Sequence, residues 1–131
     1  TSGDRNMQLL VVDRDIARQE QAVIAGLEAG MFTTGTASLQ VAEEVLTRMP
    51  VGVLLADAAT LDDALGDLLG LAEDRNPGLR SVLYSTDLAG DLGELPDPFP
   101  SLVAVLDPAL PPAIALRLGL PPRADPVRVA A

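Results

Sequence analysis

Five segments of the chain have the length and composition of β-strands, and a helical segment follows nearly every one of them. The strand-like segments are Leu9–Val12, Phe32–Thr36, Val51–Ala56, Ser81–Ser85 and Leu102–Leu106. Strands that alternate with helices form parallel sheets, because a parallel connection needs a crossover that returns the chain to the same end. The pattern therefore predicts an α/β domain with a doubly wound, five-stranded parallel sheet covered on both faces.

Amphipathic segments supply the predicted helices. They are Ile16–Ala29, a segment from Ser38 to just before Pro50, Leu61–Ala72, and Pro111–Leu118. Asp15 and Ser38 stand at N-cap positions, and Gly30 stands where the first helix should stop. The fourth crossover differs, because residues 87–100 contain two glycines and three prolines. We expect at most one short turn there, so the fourth helix is predicted to be eroded or missing.

One domain over residues 7–120 accounts for the patterned part of the chain. Its 131 residues are 48% hydrophobic but only 2% aromatic, so the core must consist of Leu, Val, Ala and Ile. Residues 1–6 are polar and irregular, and we expect them to be a leader. Residues 121–131 are predicted to be a Pro-rich tail or linker.

The inventory of charged and reactive residues excludes several functions. The chain has no cysteine and no histidine, so neither thiolate nor imidazole chemistry is available. All nine basic residues are arginine, and the net charge of −10 repels nucleic-acid phosphates and anionic membranes. No apolar stretch approaches the roughly 20 residues that span a bilayer, and no signal-peptide pattern is present. We therefore expect a cytoplasmic domain that binds neither nucleic acid nor membrane.

Polar side chains follow four of the five predicted strands. Asp13 closes the first strand, Asp57 follows the third, Ser85 and Thr86 close the fourth, and Asp107 closes the fifth. The carboxyl ends of parallel strands meet at one edge of the sheet, and ligands of such folds bind there. The sequence therefore predicts a site at this edge.

Four motifs at these strand ends together resemble the receiver domain of bacterial two-component response regulators. They are Leu-Val-Val-Asp in the first strand, Pro-Val-Gly-Val-Leu-Leu at the third, Val-Leu-Tyr-Ser-Thr at the fourth and Leu-Asp-Pro at the fifth. The similarity spans about residues 7–119. It implies a flavodoxin-like strand order of 2-1-3-4-5 and a role in bacterial signal transduction.

The resemblance also implies a phosphotransfer site, from which this chain departs. Receivers hold Mg²⁺ with two adjacent acids after the first strand and an acid after the third, which accepts the phosphoryl group. The adjacent acids fall on Asp13 and Arg14, so one acid is replaced by a cation. Counting from Pro50 places the phosphoacceptor position on Ala56 rather than Asp57.

The remaining receiver positions are kept only in part. The hydroxyl group that contacts the phosphoryl group is present as Ser85 or Thr86. Receivers also have a lysine after the fifth strand that balances the charge of the phosphoryl group, and here that position is Asp107. The aromatic switch position of many receivers falls on Ala104. A phosphoryl group about 4 Å from Asp107 would meet repulsion of roughly 4 kcal/mol at an effective dielectric constant near 20. These departures are typical of a pseudo-receiver, in which the phosphotransfer site is dismantled.

An active site remains the alternative interpretation. Asp57 is then the phosphoacceptor, and Asp13, Asp15 and Asp57 hold Mg²⁺. In the pseudo-receiver interpretation no cofactor is expected, Asp15 caps a helix, and Arg14 pairs with Asp13, Asp15 or Asp57. A third interpretation is a small-ligand domain that uses the crevice at the carboxyl edge.

The hypothesis we carry forward is a non-catalytic pseudo-receiver that works through protein–protein contacts. Its expected partner is a second copy, an effector domain joined through the tail, or another signalling protein. Enzymatic activity would at most be self-phosphorylation from a phosphodonor. Apolar residues of the fifth strand and final helix are the interface candidates, since exposed apolar patches mark interfaces: Ala104, Leu110, Ile114, Leu116 and Leu118.

Overall fold

The computed structural model describes residues 8–86 and 99–120. Its centre is a five-stranded parallel sheet in the order β2-β1-β3-β4-β5, which confirms the predicted fold class. The strands are β1 (Gln8–Val12), β2 (Phe32–Thr36), β3 (Val53–Asp57), β4 (Arg80–Tyr84) and β5 (Leu102–Leu106). The third strand thus begins and ends later than predicted, and its last residue is Asp57.

Helices occupy the connections. They are α1 (Ile16–Glu28), α2 (Leu39–Arg48), α3 (Ala58–Leu61), α4 (Leu65–Arg75) and α5 (Pro112–Gly119), with a 3₁₀ turn at Asp62–Ala64. The predicted helix from Leu61 to Ala72 was wrong at its start, because the chain is already helical directly after β3. Asp62 adopts a φ of 49°, a conformation that non-glycine residues rarely take, and this residue ends α3 and begins the 3₁₀ turn.

Local capping explains where the first two helices begin. The Asp15 carboxylate accepts a hydrogen bond from the Arg18 backbone N–H, and the Ser38 hydroxyl accepts one from the Val41 N–H. Each satisfies a backbone donor that the first turn leaves unpaired. Gly30 has a φ of 81°, which glycine adopts without steric cost, and it follows the end of α1 as predicted.

Two apolar layers enclose the sheet, because successive strand residues point to opposite faces. Leu10, Leu54 and Leu83 belong to the layer under α2 and α4. Leu9, Leu55 and Tyr84 belong to the layer under α1 and α5. The fully buried strand residues come mostly from β1, β3 and β4, which lie in the middle of the sheet.

Three predictions concern segments outside the described residues: the leader at 1–6, most of the weak fourth crossover at 87–100, and the tail at 121–131. Within the described ranges, no helix combines the length and hydropathy that crossing a membrane requires.

Candidate functional site

The carboxyl edge of the sheet brings Asp13 and Asp57 together. Val12 pairs with Ala56 across the β1–β3 ladder, so the next residue of each strand extends to the same edge. Both residues are buried, with relative exposures of 1% for Asp13 and 5% for Asp57. Two carboxylates with so little contact with water need compensating partners.

Arg18 of α1 is the partner of both carboxylates. Its Nε donates to Oδ2 of Asp13, and its Nη2 donates to Oδ1 of the same residue at 2.9 Å. Nη2 also lies 3.3 Å from Oδ1 of Asp57. A two-pronged contact between guanidinium and carboxylate fixes orientation as well as charge. One arginine therefore ties α1 to the ends of β1 and β3.

The surroundings of Arg18 keep its guanidinium in place. Its side chain is only 14% exposed, and its Cζ lies 4.9 Å from the centre of the Tyr84 ring, within the range of a cation–π contact. The hydrogen bond to Asp13 raises the pKa of Arg18, although burial acts in the opposite direction. The guanidinium is accordingly a permanent positive charge at this edge.

Asp57 is engaged on both of its oxygens. While Oδ1 faces Arg18, Oδ2 accepts hydrogen bonds from the Thr60 hydroxyl at 2.7 Å and from the Thr60 N–H at 3.2 Å. The Thr60 hydroxyl oxygen also accepts a hydrogen bond from the Arg14 backbone N–H at 3.1 Å. Asp57 therefore caps α3, and Thr60 joins that helix to the loop after β1.

Ala56, to which the receiver pattern assigns the phosphoacceptor position, lies on the opposite face of the strand from this cluster. It is fully buried in the layer under α2 and α4. Its neighbour Asp57 carries the carboxylate at the edge. Successive residues of a strand point to opposite faces, so Ala56 and Asp57 cannot both lie in this cluster, and the assignment of the receiver position to Ala56 stays a prediction.

The residues beside Asp13 in sequence have separate roles. Asp15 caps α1, as we expected for a site without a metal ion. The expected ion pair of Arg14 was wrong: Arg14 is exposed, and the ion pairs of Asp13 and Asp57 within the described residues are with Arg18.

An open cleft of about 590 Å³ lies over this edge. Its lining includes Arg14, Asp15, Arg18, Asp57, Asp62, Ser85 and Thr86. The backbone N–H of Ser85 donates to the Leu106 carbonyl at 2.9 Å, which holds the end of β4 against β5. The structure therefore gathers the predicted hydroxyl groups and Asp57 around one cleft.

Asp107 does not line that cleft. It is exposed, and its Oδ1 accepts a hydrogen bond from the Ala109 N–H at 2.8 Å, which stabilises the turn before α5. Within the described residues, the charged side chain in contact with Asp57 is Arg18, and the expected repulsion between a phosphoryl group and Asp107 stays a prediction.

Comparison with known proteins bears on the fold. No protein-family model matches the chain, and no curated protein matches it. Among solved structures, a response regulator from Thermotoga maritima superimposes with a TM-score of 0.65 at 15% identity, over 86% of this chain and 92% of that one. The pilus assembly protein CpaE from Caulobacter crescentus CB15 gives a TM-score of 0.58 at 20% identity, over 88% and 92%. The fold is receiver-like.

The donor set of this receiver-like domain does not fit the Mg²⁺ ion that the receiver resemblance implies. Both oxygens of Asp13 already accept hydrogen bonds from Arg18, and Asp57 divides its oxygens between Arg18 and Thr60. Asp15 uses its carboxylate as a helix cap. Across residues 8–86 and 99–120, no group of three or more acidic, histidine or cysteine side chains is arranged to hold a metal ion.

The outer face of α5 and the turn before it carry the interface candidates that are exposed. Leu110 in that turn, and Ile114 and Leu118 on the helix, are 37–45% exposed and form what we call the apolar stripe. Leu116 is only 4% exposed, because it packs into the layer under α1 and α5, so it cannot be a surface contact. Ala104 is partly buried against that same layer.

Arg18 and Thr60 were missed by the sequence analysis. A signal for Arg18 does exist: it is a cation at the third position of α1, where the positive end of the helix dipole disfavours positive charge. An arginine at such a position needs an anionic partner, and Asp13 lies five residues earlier. Thr60 carries no comparable signal, since its contacts depend on the short α3.

Proposed function

We propose that the chain is a non-catalytic, receiver-like signalling domain of the bacterial cytoplasm that acts through contacts with other proteins. The observation that carries this proposal is the position of Arg18 between Asp13 and Asp57. The same side chains that would serve phosphotransfer are committed to an internal ion-pair network.

Phosphotransfer needs a carboxylate oxygen that is free to attack and a cation that receives the new charge. The Asp57 side chain is 7% exposed, and Thr60 and Arg18 contact its two oxygens. Arg18 is already paired with Asp13, and the sequence contains no lysine. These contacts support a site that holds the fold together rather than one that turns over phosphate.

The apolar stripe supports the contact function. Ile114 and Leu118 on the short helix α5, and Leu110 in the turn before it, expose apolar surface beside the edge strand β5. Surface of this kind is typical of protein interfaces. A second copy of the chain is the partner to test first, and an attached effector domain or a separate signalling protein is tested after it.

Sedimentation equilibrium over a wide concentration range tests self-association. We expect a dimer that Ile114→Glu abolishes. Ile24→Glu is the matched control, because Ile24 is also an exposed isoleucine on a helix but lies on α1, outside the stripe. A chain that stays monomeric at high concentration would remove the homodimer from the proposal, and so would a dimer that both variants weaken equally.

A phosphorylatable receiver with Asp57 as phosphoacceptor is the second candidate function. The observation in its favour is that Asp57, Ser85 and Thr86 line one open cleft. Addition of a phosphoryl group from a small phosphodonor in the presence of Mg²⁺, lost on Asp57→Asn, would establish it.

A further inference from the structure

Two buried carboxylates on adjacent strands share a single cation in this structure, and that cation is part of the chain. We propose that Arg18 is a built-in replacement for a dissociable metal ion, so that the acid pair Asp13–Asp57 keeps a positive charge beside it whether or not divalent cations are present. A metal ion can leave such a pair, whereas a side chain of α1 cannot.

The position of Arg18 in its helix is the first argument. It is the third residue of α1, whose first turn contains no acidic residue. A cation there is opposed by the helix dipole, so its favourable energy must come from outside the helix. The carboxylates of Asp13 and Asp57 are the anions that it reaches.

The enclosure of the guanidinium is the second argument. It meets Asp13 through two nitrogens, Asp57 on a second strand, and the Tyr84 ring. Arg14 is also close to these acids in sequence, but it is exposed to solvent, so proximity in sequence alone does not bury a basic side chain at this edge. The guanidinium is thus contacted from several sides by side chains of different strands, as a bound metal ion would be.

Hard divalent cations prefer carboxylate oxygens. Replacing the guanidinium by an uncharged side chain leaves two buried carboxylates together with the Thr60 hydroxyl beside them. That set of oxygens should attract the ion that Arg18 now replaces. The inference rests on these contacts and not on the absence of phosphotransfer, so it and the proposed function can fail separately.

Thermal unfolding with increasing Mg²⁺, at an ionic strength kept constant with NaCl, tests the inference. The proteins are the wild type, Arg18→Met and the matched control Arg14→Met. Methionine retains an apolar stem against Tyr84 but carries no charge. We expect no saturable change in Tm for the wild type and for Arg14→Met. For Arg18→Met we expect a lower Tm without Mg²⁺ and a saturable rise with it, which Asp13→Asn in the same chain removes.

A saturable Mg²⁺ effect on the wild type would overturn the inference, because the ion would then bind despite Arg18. A folded Arg18→Met variant that ignores Mg²⁺ would overturn it equally. Arg18→Gln serves as a second uncharged variant in case methionine packs poorly. Should both stay unfolded at every Mg²⁺ concentration, the inference fails, because a bound dication should have restored the lost charge.

Discussion

Loss of the Arg18 guanidinium should destabilise the domain more than loss of any exposed arginine. Arg18→Met removes a two-pronged contact to Asp13 and the ion pair to Asp57, and leaves two buried carboxylates without their cation. Removing one partner of a buried ion pair costs about 3–5 kcal/mol. Because the Arg18 side chain is 14% exposed, the lower end of this range applies, about 3 kcal/mol. For a domain of this size, that corresponds to a decrease in Tm of the order of 10 °C.

A double-mutant cycle assigns the loss to the ion pair rather than to packing. Urea unfolding of the wild type, Arg18→Met, Asp13→Asn and the double variant gives the coupling free energy between the two side chains. We expect about 2 kcal/mol of coupling, so that the double variant loses clearly less than the sum of the single losses. Arg14→Met should change the free energy of unfolding by less than about 0.5 kcal/mol, because its side chain is exposed. Coupling below about 0.5 kcal/mol would refute the reasoning.

Three further perturbations test the burial of Tyr84 and the packing of two helices. Burial raises the pKa of Tyr84 to about 12, whereas an unfolded tyrosine titrates near 10. The contribution of Tyr84 to stability is therefore complete below about pH 10 and is lost as pH rises towards 12, by up to about 3 kcal/mol. Denaturation between pH 9 and about 11.5 measures this loss, and the chain suits the experiment because it has one tyrosine, no lysine and no cysteine. Tyr84→Phe should remove the dependence of the free energy of unfolding on pH. An unchanged dependence in that variant would contradict the assignment to Tyr84. Gly26→Ala should destabilise the domain by about 1–2 kcal/mol, because the added methyl group would collide with the Thr33 side chain and lie 2.7 Å from Leu9 Cδ2. Gly70→Ala, where nothing lies within 4 Å, should instead stabilise α4 by up to about 1 kcal/mol, and the opposite order in thermal unfolding would refute the packing argument.

The fold was accessible from the sequence because its signals are local. Strand-length runs such as Leu9–Val12, the N-caps Asp15 and Ser38, and the stop at Gly30 each act over a few residues, and the structure contains all of them. The break between α3 and α4 was not accessible. It depends on the positive φ of Asp62, and an aspartate in the sequence is not enough to predict that conformation.

The site was only partly accessible, because its contacts depend on register and helix phase. Arg14 adjoins Asp13 in sequence yet is exposed, whereas Arg18, one helical turn further on, faces back onto the edge. Ala56 and Asp57 are adjacent in β3, yet Ala56 lies in the core and Asp57 at the edge, because successive strand residues point to opposite faces. The prediction of Leu116 as an interface residue failed for a related reason, because the sequence pattern did not show which face of α5 packs against the sheet.

Intact mass after incubation with acetyl phosphate and Mg²⁺ tests most directly the claim that this edge is committed to an internal ion-pair network. Wild type, Asp57→Asn and Arg18→Met are measured side by side, with circular dichroism to establish that each is folded. The account predicts that the wild-type mass stays unchanged, since Thr60 and Arg18 engage both oxygens of Asp57. A gain of one phosphoryl group by the wild type that Asp57→Asn abolishes would contradict it.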